Sequence, residues 1–350
     1  MGKNAVMKML ILYCLQKLDG QRTIYAMLHL FNGKKSSQTI QDAHLFHLTE
    51  IFGIFPTVTR LEIDKFVGDL IREKLVTKMD EQKYCLTKTG NDCLANYIKT
   101  NPLPKHLNGW KYHYLTHIFW ERLSLVVQVT SHLSHQDSKY IPIQRKKEFH
   151  QWLKGYLIKT QLNRKELSTI LYNELVECFE ANKEINPAFI VMRLTGYQKI
   201  GLTAEQIADL FKMDFYTYQL HFFNILHYML ECVQEKQINY PLLFLLIADQ
   251  ITSNPLTDST KKTFVLLEKG LSINEIAQIR KLKQSTIEDH IVEIALNIVG
   301  FDTSPFMNRE LHDLIIKAAR KTSSKQLKQI RELVPEADYF QIRLVLAQGW

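Results

Sequence analysis

The chain has 350 residues, of which 46% are hydrophobic and 23% are charged, and its formal net charge is +8. This length predicts two or three domains, and the ordinary globular composition excludes a largely disordered chain. The mild basic excess lies towards the two ends of the sequence, so it permits a polyanionic partner such as DNA without requiring one.

The cysteines and the apolar runs indicate a cytoplasmic protein. None of the five cysteines belongs to a C-x-x-C pair, which argues against a zinc finger, and the odd, scattered set argues against a disulfide framework. The N-terminal run "MKMLILYCLQKLDG" lacks the small-residue cleavage site of a signal peptide. The run "PLLFLLIA" at 241–248 is too short to span a bilayer. We therefore expect a soluble, cytoplasmic chain without a membrane partner.

The first hundred residues are predicted to form a winged-helix domain, residues 1–100. Residues 61–74, "LEIDKFVGDLIREK", carry apolar side chains at helical spacing, and Thr59 forms a capping box with Glu62 in front of them. The runs "LVTKM" and "KYCLT", joined by "DEQ", are typical of a hairpin, so residues 75–87 would form the wing. Upstream helical patterns complete the domain at 5–17, 23–31 and 36–47.

Residues 101–255 are predicted to form a helical middle domain. The segments "WKYHYLTHIFWERL" and "LHFFNILHYML" carry aromatic residues about one helical turn apart, which favours a packed core over an exposed surface for stacking bases. Glu174 and Glu177 are interpreted as part of a solvated helix face. A loop at 131–147 ends in three cations that are candidates for phosphate contact, although such a triplet is also typical of a solvated face: Arg145, Lys146 and Lys147.

An internal repeat links the middle of the chain to its C-terminal part. The segment "GLTAEQIADLFKMD" at 201–214 aligns with "GLSINEIAQIRKLK" at 270–283, and both follow the pattern G-L-[ST]-x-x-[EQ]-I-A-x-[LI]-x-K-[LM]. Two copies of one pattern indicate two copies of one helical unit. We therefore expect a helix-turn-helix-like repeat at 201–230 inside the middle domain.

The second copy is predicted to be a helix-turn-helix unit in a C-terminal domain at 256–350. Ser272 and Glu275 form a capping box for the first helix, and Ser285 with Glu288 would form another for the second. Two capped helices joined by about four residues match this unit. The second helix carries one apolar stripe, made of Ile287, Ile291, Ile294 and Ile298.

Two features of this unit bear on a contact with DNA. Lys281 stands where the turn often holds glycine, and Glu288 with Asp289 places two carboxylates at the front of the second helix, where they repel phosphate. The unit therefore suits either DNA or a protein partner, because the fold alone does not fix the function. Candidate DNA contacts lie in and after the break and near the N-terminus: Arg280, Lys281, Lys283, Gln284, Ser285, Thr286, Asp289, His290, Arg22, Lys34 and Lys35.

The sequence contains no motif of an enzyme, a cofactor site or a metal site. The segment "GKKSS" at 33–37 resembles part of a Walker A loop, but Leu28 and Lys35 replace its first glycine and its final Ser or Thr. Histidine pairs occur in "HLFH" at 44–47 and "HLSH" at 132–135, without a cysteine or carboxylate at metal-ligand spacing. We therefore expect no catalysis and no cofactor.

Segments at both ends of the chain are similar to parts of helicase-associated proteins. "GLSINEIAQIRKLKQSTIEDHI" and "LKQIRELVPEADYFQIRLVLA" at 327–347 resemble the helix-turn-helix module appended to RecQ-like helicases. The N-terminal segment, with the G-x-R-T and G-K-K-S elements of "GQRTIYAMLHLFNGKKSS", is similar to the winged-helix RQC domain of those helicases. Over nearly its whole length the chain resembles the YpbB family. The resemblance implies a cytoplasmic bacterial protein, of the low-GC Gram-positive type, whose RecQ-like helicase motor is a separate chain.

Two functions are open at this point. The first is a non-enzymatic accessory protein that binds DNA and a RecQ-like helicase in DNA recombination and repair. The second is a helix-turn-helix transcriptional regulator that reads an operator. An operator reader uses Arg, Asn or Gln on its recognition helix, and this helix offers Gln284 with two acids behind it, which favours the first function.

Overall fold

The structure is a computed structural model that describes residues 4–137, 139–251, 256–298, 300–322 and 327–348. Within these ranges the chain is mainly helical with a two-stranded antiparallel sheet, which confirms the predicted mainly α fold class. In the same ranges, none of the helices combines the length and apolarity that crossing a bilayer requires.

The chain divides into two compact units, each built from separate stretches of sequence. The first consists of Met1–Leu10, Gly53–Phe55 and Ala95–Ile251, and the second of Ile11–Phe52, Pro56–Leu94 and Thr252–Trp350. This division differs from the three consecutive domains expected from sequence, because packing between distant segments leaves no mark in composition or linker pattern. The expected boundary at residue 255 lies outside the described residues.

The N-terminal elements follow the predicted order of helices and hairpin. The capping box is confirmed, since Glu62 N donates to Thr59 Oγ1 and Thr59 N donates to Glu62 Oε2. The predicted hairpin is also confirmed, with Val76 paired to Leu86. The likeness to an RQC domain stays a prediction. The elements are α1 (Ala5–Leu18), α2 (Ile24–Phe31), α3 (Ser37–Leu45), a short 3-10 helix (Thr49–Ile51), α4 (Arg60–Arg72), β1 (Val76–Asp80), β2 (Lys83–Leu86) and α5 (Lys88–Thr100).

The middle of the chain is a helical bundle with an aromatic core, as its sequence pattern predicts. Aromatic side chains at helical spacing are buried together, among them Tyr112, Phe119, Tyr218 and Phe222. Its helices are α6 (Gly109–Tyr112), α7 (Leu115–Ser134), α8 (Lys147–Thr160), α9 (Arg164–Glu180), α10 (Ala188–Val191), α11 (Ala204–Leu210), α12 (Phe215–Glu235) and α13 (Pro241–Leu245).

One expectation for this bundle is wrong, because Glu174 is buried rather than solvated. Its carboxylate oxygens accept hydrogen bonds from Leu242 N at 3.0 Å and Leu243 N at 2.9 Å. These two amides open α13, so the carboxylate satisfies donors that a helix start leaves without intrahelical partners. Burial raises the pKa of Glu174, while these hydrogen bonds oppose the rise.

The C-terminal helices pack around α16, which lies at the centre of their core. The buried side chains include Ile276 of the preceding helix and the predicted stripe residues Ile287 and Ile291. The neighbours of α16 are α3, α14, α15 and α19, all within the second unit. The C-terminal helices are α14 (Asp258–Leu267), α15 (Ile273–Arg280), α16 (Gln284–Asn297), α17 (Arg309–Thr322), α18 (Leu327–Leu333) and α19 (Tyr339–Ala347).

Candidate nucleic-acid interface

Helices α15 and α16 form the predicted pair, and the start of α15 has the predicted cap. Ser272 Oγ accepts from Glu275 N, while Glu275 Oε2 accepts from Ser272 N at 2.8 Å. The turn begins at Lys281, whose backbone is left-handed with φ +53°. Leu282 N then donates to Ala277 O at 3.0 Å, and the Leu282 side chain packs against the core. The helix-turn-helix geometry is therefore present.

The start of α16 differs from the prediction in a way that matters for DNA. The helix begins at Gln284 with Lys283 as its N-cap, and the Lys283 side chain makes no capping hydrogen bond. The predicted capping box of Ser285 and Glu288 is wrong, because both residues already lie inside the first turns of the helix. A cation therefore stands where other helices of this chain carry a capping oxygen.

The first copy of the repeat has the same cap on its first helix, and the same left-handed turn, as the second copy. Thr203 and Gln206 form its capping box, Lys212 repeats the left-handed turn with φ +56°, and Met213 N donates to Ala208 O at 2.9 Å. These features match the second copy position by position, so the repeat is present in the structure as well as in the sequence.

The second helix of the first copy is closed to phosphate. Asp214, its N-cap, accepts from Tyr216 N at 3.0 Å and Thr217 N at 3.1 Å. Residues along the whole of α12 are buried in the bundle core. The carboxylate fills the helix start and would repel an anion, whereas Lys283 at the same repeat position would attract one.

Four candidate residues lie together on the exposed edge where α16 begins: Lys281, Lys283, Gln284 and Ser285. Thr286 is half-buried. The side-chain amide of Gln284 donates to Glu288 Oε1 at 3.1 Å. The amide that would read a base is therefore already hydrogen-bonded within the helix. We call this edge, defined by Lys281, Lys283, Gln284 and Ser285, the α16 edge.

Arg280 and His290 join α15 and α16 to α14 through hydrogen bonds. The Arg280 guanidinium donates to Ser259 O at 2.7 Å and to Thr263 Oγ1, which ties α15 to α14. His290 is buried, and its Nδ1 lies 2.8 Å from Thr263 Oγ1. Burial, followed by the nearby charge of Arg280, lowers the pKa of His290 to about 4. The structure therefore places both residues in contacts within the unit rather than on the α16 edge.

The remaining basic candidates lie on other elements. Arg22 Nε donates to both carboxylate oxygens of Asp42, at 2.9 and 3.1 Å, so its charge is largely balanced. Lys34 and Lys35 are exposed in the second unit, just before α3. Arg145, Lys146 and Lys147 are exposed at the start of α8 in the first unit.

Beyond its exposed first turn, the face of α16 opposite its inward stripe is covered by neighbouring helices. At helical spacing this outer face consists of Ser285, Asp289, Val292 and Leu296. Val292 is buried, and Asp289 accepts a hydrogen bond from Arg343 on α19. Leu296 lines a small cavity together with Leu45 of α3 and Leu346 of α19. Sequence reasoning missed this packing, although Val292 and Leu296 are apolar where a groove-reading face would be polar.

Comparison with known proteins agrees with this geometry. A family model described as a helix-turn-helix domain matches residues 259–346. The chain is also 35% identical to Protein YpbB of Bacillus subtilis (strain 168) over 341 residues, which cover 97% of this chain and 96% of that protein. The chain belongs to the YpbB family. No solved structure matches it.

In this YpbB-family chain, the matched helix-turn-helix domain begins within α14 and ends in α19, so it includes both α15 and α16. The family and the domain together indicate a DNA-associated helix-turn-helix protein. Within the described residues, no cluster of three or more His, Cys, Asp or Glu side chains is placed to hold a metal ion.

Proposed function

We propose that this chain is a non-enzymatic accessory protein that holds duplex DNA by its phosphates and works with a RecQ-like DNA helicase in recombination and repair. The observation that supports the DNA contact is the α16 edge. Lys281 and Lys283 are exposed there, at a helix start that carries no capping carboxylate.

The electrostatics of this edge favour an anion. The N-terminus of a helix carries roughly half a positive charge from its aligned peptide dipoles, and its first amides are available as donors. Two lysines add full charges beside it, and each phosphate contact releases condensed counterions from duplex DNA. Glu288 and Asp289 oppose this attraction, and the guanidinium of Arg343 balances the charge of Asp289. The neutral amide of Gln284 is hydrogen-bonded to Glu288 but leaves its charge in place.

Backbone contact is favoured over base reading because the rest of α16 is covered. A recognition helix reads bases when its outer face enters the major groove. On α16 that face is packed against α3 and α19, and the amide of Gln284 is bound to Glu288. A transcriptional regulator would need to free this face, so operator reading is the competing outcome of the binding test.

The DNA contact is tested by measuring affinity for two short duplexes of unrelated sequence by fluorescence anisotropy. The proposal predicts equal affinity for the two sequences, because phosphates carry no sequence information. A strong preference for one sequence that disappears in Gln284→Ala would instead support operator reading. Binding to neither duplex would contradict the proposal.

The helicase partnership rests on the similarity of both ends of the chain to modules of RecQ-like helicases. Co-expression with the RecQ-like helicase of the same organism should give a complex that survives gel filtration at micromolar concentration. Separate elution of the two proteins, with and without DNA, would contradict the partnership.

The non-enzymatic assignment rests on the incomplete Walker A pattern around Lys34 and Lys35. ATP turnover that persists through repurification and disappears in Lys34→Ala would contradict it.

A further inference from the structure

Two loops of the first unit lie side by side on the C-terminal half of α7. The first loop is 139–146, before α8, and the second is 195–200, between α10 and α11. Buried Gln128 holds the first loop, because its Nε2 donates to Ile141 O at 3.0 Å and its Oε1 accepts from Ile143 N at 2.8 Å. Ser131, one turn later, holds the second loop by accepting a hydrogen bond from Tyr197 N at 2.9 Å. Both loops are therefore fixed to one rigid helix.

Stacked rings join the two loops to each other. His132 stacks on Tyr140 of the first loop with 4.1 Å between ring centroids, and it meets Tyr197 of the second edge-on at 5.8 Å. His135 stacks on the same Tyr197 at 4.3 Å. A Cβ at Gly196 would come within 2.8 Å of Ser131 Oγ, so a larger residue there would displace the side chain that holds the second loop.

This rigid pair of loops presents isoleucines to solvent. Ile200 is 91% exposed, Ile141 is 78% exposed and Ile143 is 40% exposed. Holding loops in one conformation leaves less entropy to lose on binding, so a preorganised apolar surface favours association. We call Ile141, Ile143 and Ile200, together with the cations around them, the basic isoleucine surface.

The charge around these isoleucines is mainly positive. The stretches 139–147 and 195–200 contain no Asp or Glu. Two carboxylates flank the first stretch in sequence: Asp137, which lies 3.0 Å from His132 Nδ1, and Glu148, which is exposed in the first turn of α8. Their basic residues are exposed and complete the basic isoleucine surface: Lys139, Arg145, Lys146, Lys147 and Lys199. A second copy of this chain would oppose like charges in a symmetric contact, so the complementary occupant is an acidic one.

We propose that the basic isoleucine surface binds an acidic, aliphatic-bearing segment of a partner protein, and that this partner is the RecQ-like helicase. Single-stranded nucleic acid fits the surface less well, because bases stack on free aromatic faces. Here each tyrosine is already stacked on a histidine, and the side chains offered to solvent are aliphatic. The choice of partner rests on the proposed helicase partnership.

The experiment measures the affinity of the purified helicase for the full chain and for the double variant Ile141→Glu/Ile200→Glu. Both side chains are exposed, so folding should be unchanged, and the thermal midpoint checks this. The matched control is Ile238→Glu, since Ile238 is 95% exposed in the same unit but lies away from both loops in sequence. We expect the double variant to lose about tenfold or more in affinity and the control to lose none.

The outcomes separate this surface from the proposed function. If the wild-type chain binds the helicase and the double variant binds it equally well, the surface assignment is wrong and the partnership stands. If the wild-type chain does not bind the helicase, the partnership and the occupant named here are both wrong. If the double variant keeps the helicase but loses affinity for single-stranded DNA, the surface is a nucleic-acid site and the proposal is overturned.

Discussion

Arg343 on α19 donates a hydrogen bond to Asp289 on α16, with 2.5 Å between Nη1 and Oδ1. Both side chains are half-buried, and Asp289 lies on the outer face of α16. A carboxylate that sequence places at the front of a recognition helix therefore serves as an anchor for a neighbouring helix.

The first prediction concerns this ion pair. Asp289→Asn should lower the free energy of unfolding by roughly 1–3 kcal/mol, because it leaves a half-buried guanidinium without its carboxylate. Urea denaturation measures the change. Glu288→Gln is the matched control, since it removes the adjacent charge and leaves Arg343 paired. Equal stability of the two variants would show that the pair does not hold α19 on α16.

The second prediction exchanges the caps of the repeat. Lys283→Asp should stabilise the fold by about 0.5–1 kcal/mol, because Asp caps a helix start and Lys does not. The same change should weaken binding to duplex DNA, because it replaces a cation by an anion at the α16 edge. The matched control, Asp214→Ala, should lose about 0.5–2 kcal/mol of stability and leave DNA affinity unchanged. If Lys283→Asp leaves DNA affinity unchanged, phosphate does not lie at this helix start.

The third prediction separates charge from backbone strain at the turn. Lys281→Gly should keep or raise the thermal midpoint, because glycine adopts the left-handed φ of +53° without steric cost. It should also weaken DNA binding, because it removes an exposed cation. Lys212→Gly makes the same backbone change in the first copy and should leave DNA affinity unchanged. Equal loss of affinity in both variants would point to a general charge effect rather than to the α16 edge.

The fourth prediction concerns pH. Burial lowers the pKa of His290 to about 4, below the value near 6.5 of an unfolded chain, so folding favours the neutral ring. Its contribution to stability is present above about pH 6.5 and is lost as the pH falls towards 4. His227, with a pKa lowered to about 3, contributes in the same direction. Denaturation of His290→Gln across this range should show a smaller fall in stability than wild type; an equal fall would contradict the assignment.

Local features of this fold could be predicted from sequence because neighbouring residues determine them. The capping boxes that begin at Thr59 and Ser272 form as predicted, since each joins side chains and amides three residues apart. The prediction at Ser285 fails because the same pattern begins one residue inside a helix that starts at Gln284. A capping motif marks a helix start only when its first residue has a non-helical backbone, and the sequence pattern alone does not show that conformation.

Long-range packing could not be predicted in the same way. The covering of α16 by α3 joins residues that are more than two hundred positions apart in sequence, and no local pattern encodes that contact. Val292 and Leu296 are apolar residues on a second buried face of α16, and the prediction of one apolar stripe did not use them. His290 shows the same limit for a polar residue, since this mid-helix side chain is buried against a partner on α14.

The salt dependence of duplex affinity shows whether the α16 edge holds DNA through phosphate, as we propose. For phosphate contacts the logarithm of affinity falls with the logarithm of salt concentration by about 0.9 per contact. Lys281→Ala/Lys283→Ala should weaken binding to every duplex sequence alike and flatten this slope by about one to two units. Lys183→Ala/Lys212→Ala, which removes two exposed lysines from the first unit, should leave the slope unchanged. An unchanged slope in the Lys281/Lys283 variant, with wild-type affinity, would contradict the claim.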